Sequence, residues 1–178
     1  MISDAHRTSE VFDSIRALFG NIAQERNPVD MNDIILNVIN SLEGQLKEHG
    51  VVVHRELAPE LPLISGHRAQ LREVIYNLVN NALEAMRSTT SRSRMLHVRT
   101  TRREDAIAVA IQDSGSGIDS NRLTGIFSAF VTTKAHGTGL GLAICRLIVE
   151  RHGGQLTASS DGHSGALFQF VLPVEFEG

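Results

Sequence analysis

Between Asp113 and Gly141 the chain reads DSGSGIDSNRLTGIFSAFVTTKAHGTGLG, with two glycine clusters, Gly115/Gly117 and Gly137/Gly139/Gly141. Thr132, Thr133 and Lys134 lie between them. Glycine has no Cβ, so a backbone rich in it can approach a ligand closely. Two clusters this near in sequence point to one polyanionic or planar ligand held mainly by main chain. Two ordinary glycine turns are the plain alternative, because short glycine patterns recur by chance. Asp113 enters the first cluster from the end of an apolar run that reads as a strand. A carboxylate there can accept a hydrogen bond from an exocyclic amine. Adenine offers such a donor where guanine offers an acceptor, so Asp113 would select ATP over GTP. The competing reading of Asp113 is an Asx turn before glycine.

Gly137, Thr138, Gly139, Leu140 and Gly141 lead into an apolar helical pattern that runs to about His152. A helix N-terminus bared by glycines seats phosphate, because its N–H groups and dipole point at the ligand. It is not a Walker A loop, since G-x-x-x-x-G-K-[ST] does not occur. Thr133 and Lys134 would place a hydroxyl and a cation beside it. A cation-binding element lies upstream, in a helix predicted over about His67 to Met86. At about 100° per residue, Leu71, Val74, Ile75, Leu78, Val79, Ala82 and Met86 fall on one side, and Glu73, Asn77, Asn80, Asn81 and Glu84 on the other. Asparagine is a poor helix former, so three within five positions ask for a reason. Asn77 and Asn81, four apart, project amide oxygens in one direction, and such oxygens are hard ligands suited to Mg²⁺. Plain surface asparagines are the alternative. For Glu73 and Glu84 the expectation is salt-bridging on the helix surface.

Other elements must position these groups. Residues 5–26 carry Val11, Phe12, Ile15, Leu18, Phe19 and Ile22 on one apolar helical stripe that calls for a partner, and Pro28 marks a domain edge. Residues 29–31 read as a short strand. Asp30 or Asn32 then caps a helix through Leu46 that ends at Gly50. Residues 51–57 form a β-branched strand, residues 63–65 at most a stub, and residues 95–102 and 106–112 a hairpin. A short helix is expected within residues 122–130, with Phe127 and Phe130 packing as a flap over the core. Residues 155–160 and 166–173 close the domain as a second hairpin.

Composition agrees with a globular chain of one domain plus an appendage: 178 residues, 42% hydrophobic and 21% charged. A net charge of −3 without a basic block argues against a nucleic-acid surface. Cys145 is the single cysteine, so no internal disulfide exists, and its apolar helical setting reads as a buried, inert thiol. No stretch approaches the roughly 18 apolar residues of a membrane span, and no signal-peptide pattern opens the chain. The expected setting is cytoplasmic, with any membrane anchor upstream.

Four segments in order carry a family resemblance: NLVNNALEA at 77–85, DSGSGI at 113–118, IFSAFVTTK at 126–134 and GTGLGLAI at 137–144. They resemble the asparagine, first glycine, phenylalanine and second glycine boxes of the ATP-binding domain of two-component sensor histidine kinases, in the GHKL or Bergerat ATPase superfamily. The TTK to GTGLGL join looks most like the nitrogen-regulation and oxygen-sensing subgroup. The resemblance covers about residues 28–174. It implies an α+β, two-layer α/β sandwich: a mixed, mostly antiparallel sheet backed by three helices, with an N-terminal bundle helix. It implies that residues 28–178 are the catalytic domain, and that residues 1–27 are the second helix of a dimerisation and phosphoacceptor bundle. Asp113 would then bind the adenine amine, and Gly115 and Gly117 would admit the base and ribose edge. Asn81 would ligate Mg²⁺ and Asn77 would face the phosphates. Lys134 would neutralise phosphate charge, and Gly137, Gly139 and Gly141, with Thr133, Thr138 and Leu140 between and beside them, would line the phosphate site.

The implied reaction is transfer of the ATP γ-phosphate to a histidine for relay to a response regulator, in a full-length homodimer. The sequence departs from that pattern in one respect. None of its eight histidines is followed by an acidic residue and, a few positions on, a proline, as an acceptor would be. The expectation is a chain that binds Mg-ATP and does not autophosphorylate alone. A regulatory ATP-binding module without kinase role, and a serine-directed kinase of the same superfamily, stay open as alternatives.

Overall fold

The computed structural model describes residues 25–89, 93–130 and 139–174. The expected helix over residues 5–26 therefore lies outside the described residues, apart from its last two positions. Strand β1 (Asn27–Val29) is followed by helices α1 (Met31–Ser41) and α2 (Glu43–Glu48), strands β2 (Val51–Glu56) and β3 (Ile64–Gly66), and helix α3 (Arg68–Arg87). Then come β4 (Arg94–Arg102), β5 (Ala106–Asp113), the single turn α4 (Ser120–Leu123), α5 (Gly141–Arg151), β6 (Gln155–Ser159) and β7 (Leu167–Pro173). Five strands form one sheet in the order β2-β4-β5-β7-β6, while β1 and β3 pair separately. Only β2 and β4 run parallel within the sheet; its other pairs are antiparallel.

The layer arrangement follows from side-chain periodicity. Leu96, Val98 and Thr100 on β4, Ile107, Val109 and Ile111 on β5, and Phe168, Phe170 and Leu172 on β7 alternate with more exposed residues on the opposite face. Strand period two puts each set on one face. Against that face pack Met31, Ile35 and Val38 of α1, Leu71, Val74, Ile75 and Leu78 of α3, and Ile144, Ile148 and Val149 of α5. The expected sandwich of a mixed sheet backed by three helices is what forms. The buried hydroxyl of Thr100 is satisfied within it: it donates to Asn32 Oδ1 (2.8 Å) and accepts from the Ala58 amide (2.9 Å). Asn32 is thereby committed to the core, and Asp30 is the N-cap of α1, accepting from the amides of Asn32 and Asp33.

Three local expectations are corrected. The strand expected at residues 29–31 lies at Asn27–Val29, and Met31 already opens α1, because Asp30 caps the helix at that point. The helix expected to run unbroken to Gly50 is interrupted at Leu42 (φ −100°, ψ 3°). There the Ser41 hydroxyl donates to Val38 O at 2.7 Å, competing for a carbonyl the helix needs, and Gly44 weakens the continuation. The helix expected within residues 122–130 is one turn, capped by Asp119, followed by tight turns such as Ser128 N–H to Gly125 O. Gly125 in its path gives it no propensity to extend. Phe127 packs edge-on against Phe168 with ring centroids 6.4 Å apart, as expected. Phe130 does not: it is 77% exposed, with φ +66°.

A buried histidine joins α3 and α5. His152, just beyond α5, is 3% exposed. Its Nδ1 lies 2.7 Å from Ile148 O, and its Nε2 accepts from the His67 amide at the start of α3 (3.0 Å). Both contacts are satisfied only by a neutral ring with its proton on Nδ1. Burial pushes its pKa below the ordinary imidazole value, and the nearby positive charges of Arg26, His67 and Arg151 act the same way, opposed by the Ile148 bond. As pH falls through about 6.5 the unfolded chain takes up this proton first, so stability drops with acidification. The expected outcome is that the melting temperature of the native chain falls more between about pH 7.5 and about pH 5.5 than that of His152→Gln. Parallel curves in a thermal-shift series would remove His152 as the cause.

Candidate functional site

Strand alternation decides where Asp113 points. It follows Ile107, Val109 and Ile111 at steps of two, so its carboxylate continues the row of side chains that face the helices, and it is 4% exposed. Oδ1 accepts from the Gly115 amide at 2.8 Å. Burial pushes the carboxyl's pKa up, against the opposing pull of the Gly115 amide. A buried carboxylate with a raised pKa is an expensive group to keep, and such groups concentrate at functional sites.

The first glycine cluster is shaped by backbone on every side. A Cβ on Gly115 would lie 2.8 Å from Ala85 O of α3 and 2.8 Å from Asp113 Oδ1. A Cβ on Gly117, at φ +79°, would lie 2.7 Å from the Gly162 and His163 backbone. The turn between β6 and β7 thus buttresses this loop. Ser160 Oγ accepts from the Ile118 amide (2.9 Å) and donates to Gly165 O (2.6 Å), while Gly165, at φ +105°, leaves only 1.9 Å between a hypothetical Cβ and Asp113 O. Gly165 and Ser160 escaped the sequence reading, since D-G-H-S-G looks like any hairpin turn.

The second glycine cluster meets the same helix further along. A Cβ on Gly141, the first residue of α5, would lie 3.1 Å from Asn77 Oδ1. The N-cap of α5 is Leu140, with no side-chain oxygen to offer the first-turn amides. Cys145, one turn on, is buried, with its Sγ 3.8 Å from Val74 O, and burial pushes its thiol far above the ordinary range, the inert thiol expected. Gly139 has φ +67°, and its carbonyl accepts from the Phe130 amide at 3.0 Å. Thr133, Lys134, Gly137 and Thr138 lie outside the described residues.

Helix α3 therefore has the tip of α5 at Asn77 and the Asp113–Gly115 loop at Ala85, with half-buried Asn81 midway. These positions are successive i+4 steps, so they form one stripe about 12 Å long. A carboxylate and glycine loop at one end, a helix tip without a side-chain cap at the other and amide side chains between them can hold an elongated ligand with a hydrogen-bonding base and a polyanionic tail. Glu73 starts the stripe. Among the described residues its partner is Asn77, not the cation expected of a surface salt bridge: Asn77 Nδ2 donates to Glu73 Oε1 at 2.7 Å and to Glu73 O at 3.0 Å. For Glu84 the structure shows an acceptor role toward Asn80 Nδ2, at 3.3 Å.

The buttress can be tested without any ligand. Gly165→Ala is expected to cost about 3 kcal/mol of stability, because its Cβ meets backbone that cannot step aside. Gly44→Ala, in α2 with open space around it, is expected to stabilise by up to about 1 kcal/mol. Urea denaturation of both variants checks the contrast, and equal effects would contradict the described packing.

Comparison with known proteins agrees with this geometry. Residues 66–176 match the family described as histidine kinase-, DNA gyrase B-, and HSP90-like ATPase. The chain is 31% identical over 175 residues to sensor protein TdiS of Thauera aromatica, covering 97% of this chain and 32% of that protein. It is 38% identical over 131 residues to sensor protein FixL of Bradyrhizobium diazoefficiens, covering 74% of this chain and 26% of that one. The chain thus spans about a third or less of the length of these relatives. The catalytic domain of histidine kinase ThkA superposes with a TM-score of 0.74 at 30% identity, over 84% of this chain and 96% of that one. In a second crystal structure, at 24% identity and a TM-score of 0.75, ThkA is in complex with the response regulator protein TrrA, and this likeness bears on fold alone. With its asparagine-lined helix flanked by both glycine loops, this chain belongs to the histidine kinase-, DNA gyrase B- and HSP90-like ATPases, as a catalytic domain of the sensor histidine kinase kind.

Proposed function

We propose that this chain binds Mg-ATP along α3 and serves as the catalytic part of a sensor histidine kinase. It would present the γ-phosphate to a histidine on a dimerisation helix, for relay to a response regulator. The observation that carries the reading is the stripe on α3, with Asp113 and Gly115 at the Ala85 end and the α5 tip at the Asn77 end. Asp113 would accept the adenine amine, and Gly115 and Gly117 would border the base. The amides of Gly139 and Gly141, with Leu140 between them, would meet the phosphates, with Gly137, Thr138, Thr133 and Lys134 completing the site from the adjoining segment. A response regulator would then be the downstream partner of the whole kinase.

The donor set fits magnesium. Among the described residues no cluster of three or more His, Cys, Asp or Glu could cage a metal. Mg²⁺ held mainly by nucleotide phosphates needs only one or two protein oxygens, and the amide of Asn81, with Asn77 one turn earlier, supplies them. When bound, the ion neutralises charge on the transferring phosphoryl group, and what the protein contributes is positioning. Among the described residues no helix is long and apolar enough to cross a membrane. The reading places this domain in the cytoplasm, where its nucleotide is, within a longer protein that pairs as a homodimer through the stripe in residues 5–26.

Asp113→Asn separates binding from folding. It is expected to weaken ATP binding by about 1–3 kcal/mol, as loss of a hydrogen bond to a charged group does. It is also expected to raise the ligand-free melting temperature at neutral pH, since the raised pKa means that ionising this buried carboxyl costs stability as pH rises. The gain should vanish in acid, where the native carboxyl is protonated. Calorimetric titration with ATP and thermal melts at two pH values check both, and unchanged ATP affinity would place the adenine elsewhere.

Incubation with γ-labelled ATP is expected to leave the chain without acid-labile label, because no histidine here has an acceptor's surroundings. Label that survives acid would favour a serine-directed kinase instead. Nucleotide binding without transfer to any added histidine helix would favour the regulatory module.

A further inference from the structure

We propose that Glu73 is a positioning residue that holds the Asn77 amide with its oxygen, not its nitrogen, turned toward the nucleotide and its cation. The inference rests on the Mg-ATP reading above and adds a residue to it. An asparagine amide can sit in either of two orientations that are nearly the same shape and chemically opposite: one presents an acceptor, the other a donor. Only the hydrogen-bond network selects between them. Asn77 Nδ2 has two protons, and both are used, one on Glu73 Oε1 (2.7 Å) and one on the Glu73 carbonyl (3.0 Å). An ionised carboxylate has only acceptors, so turning the amide over would set Oδ1 against Glu73 oxygens with no proton between them. The flipped state loses two hydrogen bonds and gains a repulsion.

The orientation has a consequence at the other side of the amide. Asn77 Oδ1 faces the start of α5, 3.1 Å from where a Gly141 Cβ would be, and only glycine there leaves that oxygen uncovered. A carbonyl oxygen in this position repels phosphate oxygens directly and attracts a divalent cation or a water on one. Asn77 thus acts with Asn81 on the cation side of the phosphates. Glu73 sits one turn before Asn77, half-buried, so its carboxylate adds negative charge behind the amide and reinforces the same preference.

The test measures binding, not turnover. Dissociation constants for ATP are compared by calorimetry with magnesium present and with magnesium chelated, for the native chain, Glu73→Leu, Glu73→Gln and the double variant Glu73→Leu/Asn77→Asp. Glu73→Leu is expected to weaken ATP binding in magnesium by about three- to tenfold, the equivalent of one hydrogen bond, with little change when magnesium is chelated. Glu73→Gln, which keeps an acceptor oxygen but adds a donor able to pair with the turned-over amide, should fall between the native chain and Glu73→Leu. The double variant should recover magnesium dependence, because an aspartate presents oxygen in either orientation.

Glu73→Leu binding as the native chain does, or weakening equally with and without magnesium, overturns the proposal. So does a double variant that remains as weak as Glu73→Leu. A native chain that binds no ATP would instead overturn the nucleotide reading itself.

Discussion

The structure depends on keeping one carboxylate under a layer of helices. Asp113 ends the central strand β5 on its core-facing side, where water is excluded and its ionised form is disfavoured. A polar group in that position costs stability unless it is paired, and backbone amides, that of Gly115 foremost, pair with it. Around it the chain comes closer than side chains allow. Gly115 lies against the end of α3, and Gly165 lies against the Asp113 carbonyl. The central strand, helix α3 and the β6–β7 turn are locked together at this point. An acceptor held so rigidly is suited to a donor that arrives with the ligand.

Helix α3 works on two faces at once. Its apolar side, from Leu71 to Met86, is almost wholly buried against the sheet and the other helices. On its stripe of Glu73, Asn77, Asn81 and Ala85, two residues have a neighbour in the glycine loops: Gly141 at Asn77 and Gly115 at Ala85. The poor helix propensity of asparagine is tolerable because packing on the opposite face carries the helix. The His67–His152 contact then fixes where α3 begins relative to where α5 ends. Since α5 starts at the Asn77 end of the stripe, this buried imidazole at its far end ties the two helices together away from that stripe.

Much of this was legible from one sequence, because the signals are periodic and local. Strand alternation into Asp113, the two-sided pattern of α3, the glycines before α5 and the order of the four segments point to elements that the fold brings side by side. Errors arose where a local pattern competes with a side-chain hydrogen bond or a single glycine. Ser41 interrupts the first helix, and Gly125 ends the turn that was expected to carry Phe130 over the core.

What the sequence determined by itself is the face of each element and the chemical type of each site residue, since both follow from spacing within a few turns or strand steps. What only tertiary structure decided is which distant backbones touch. The demand for glycine at 165 comes from Asp113, more than fifty positions away, and the seat of His152 comes from His67. The orientation of the Asn77 amide is a matter of which proton finds which oxygen. Those contacts depend on strand register and helix docking, which the whole core sets jointly, and no window of neighbouring residues contains that information.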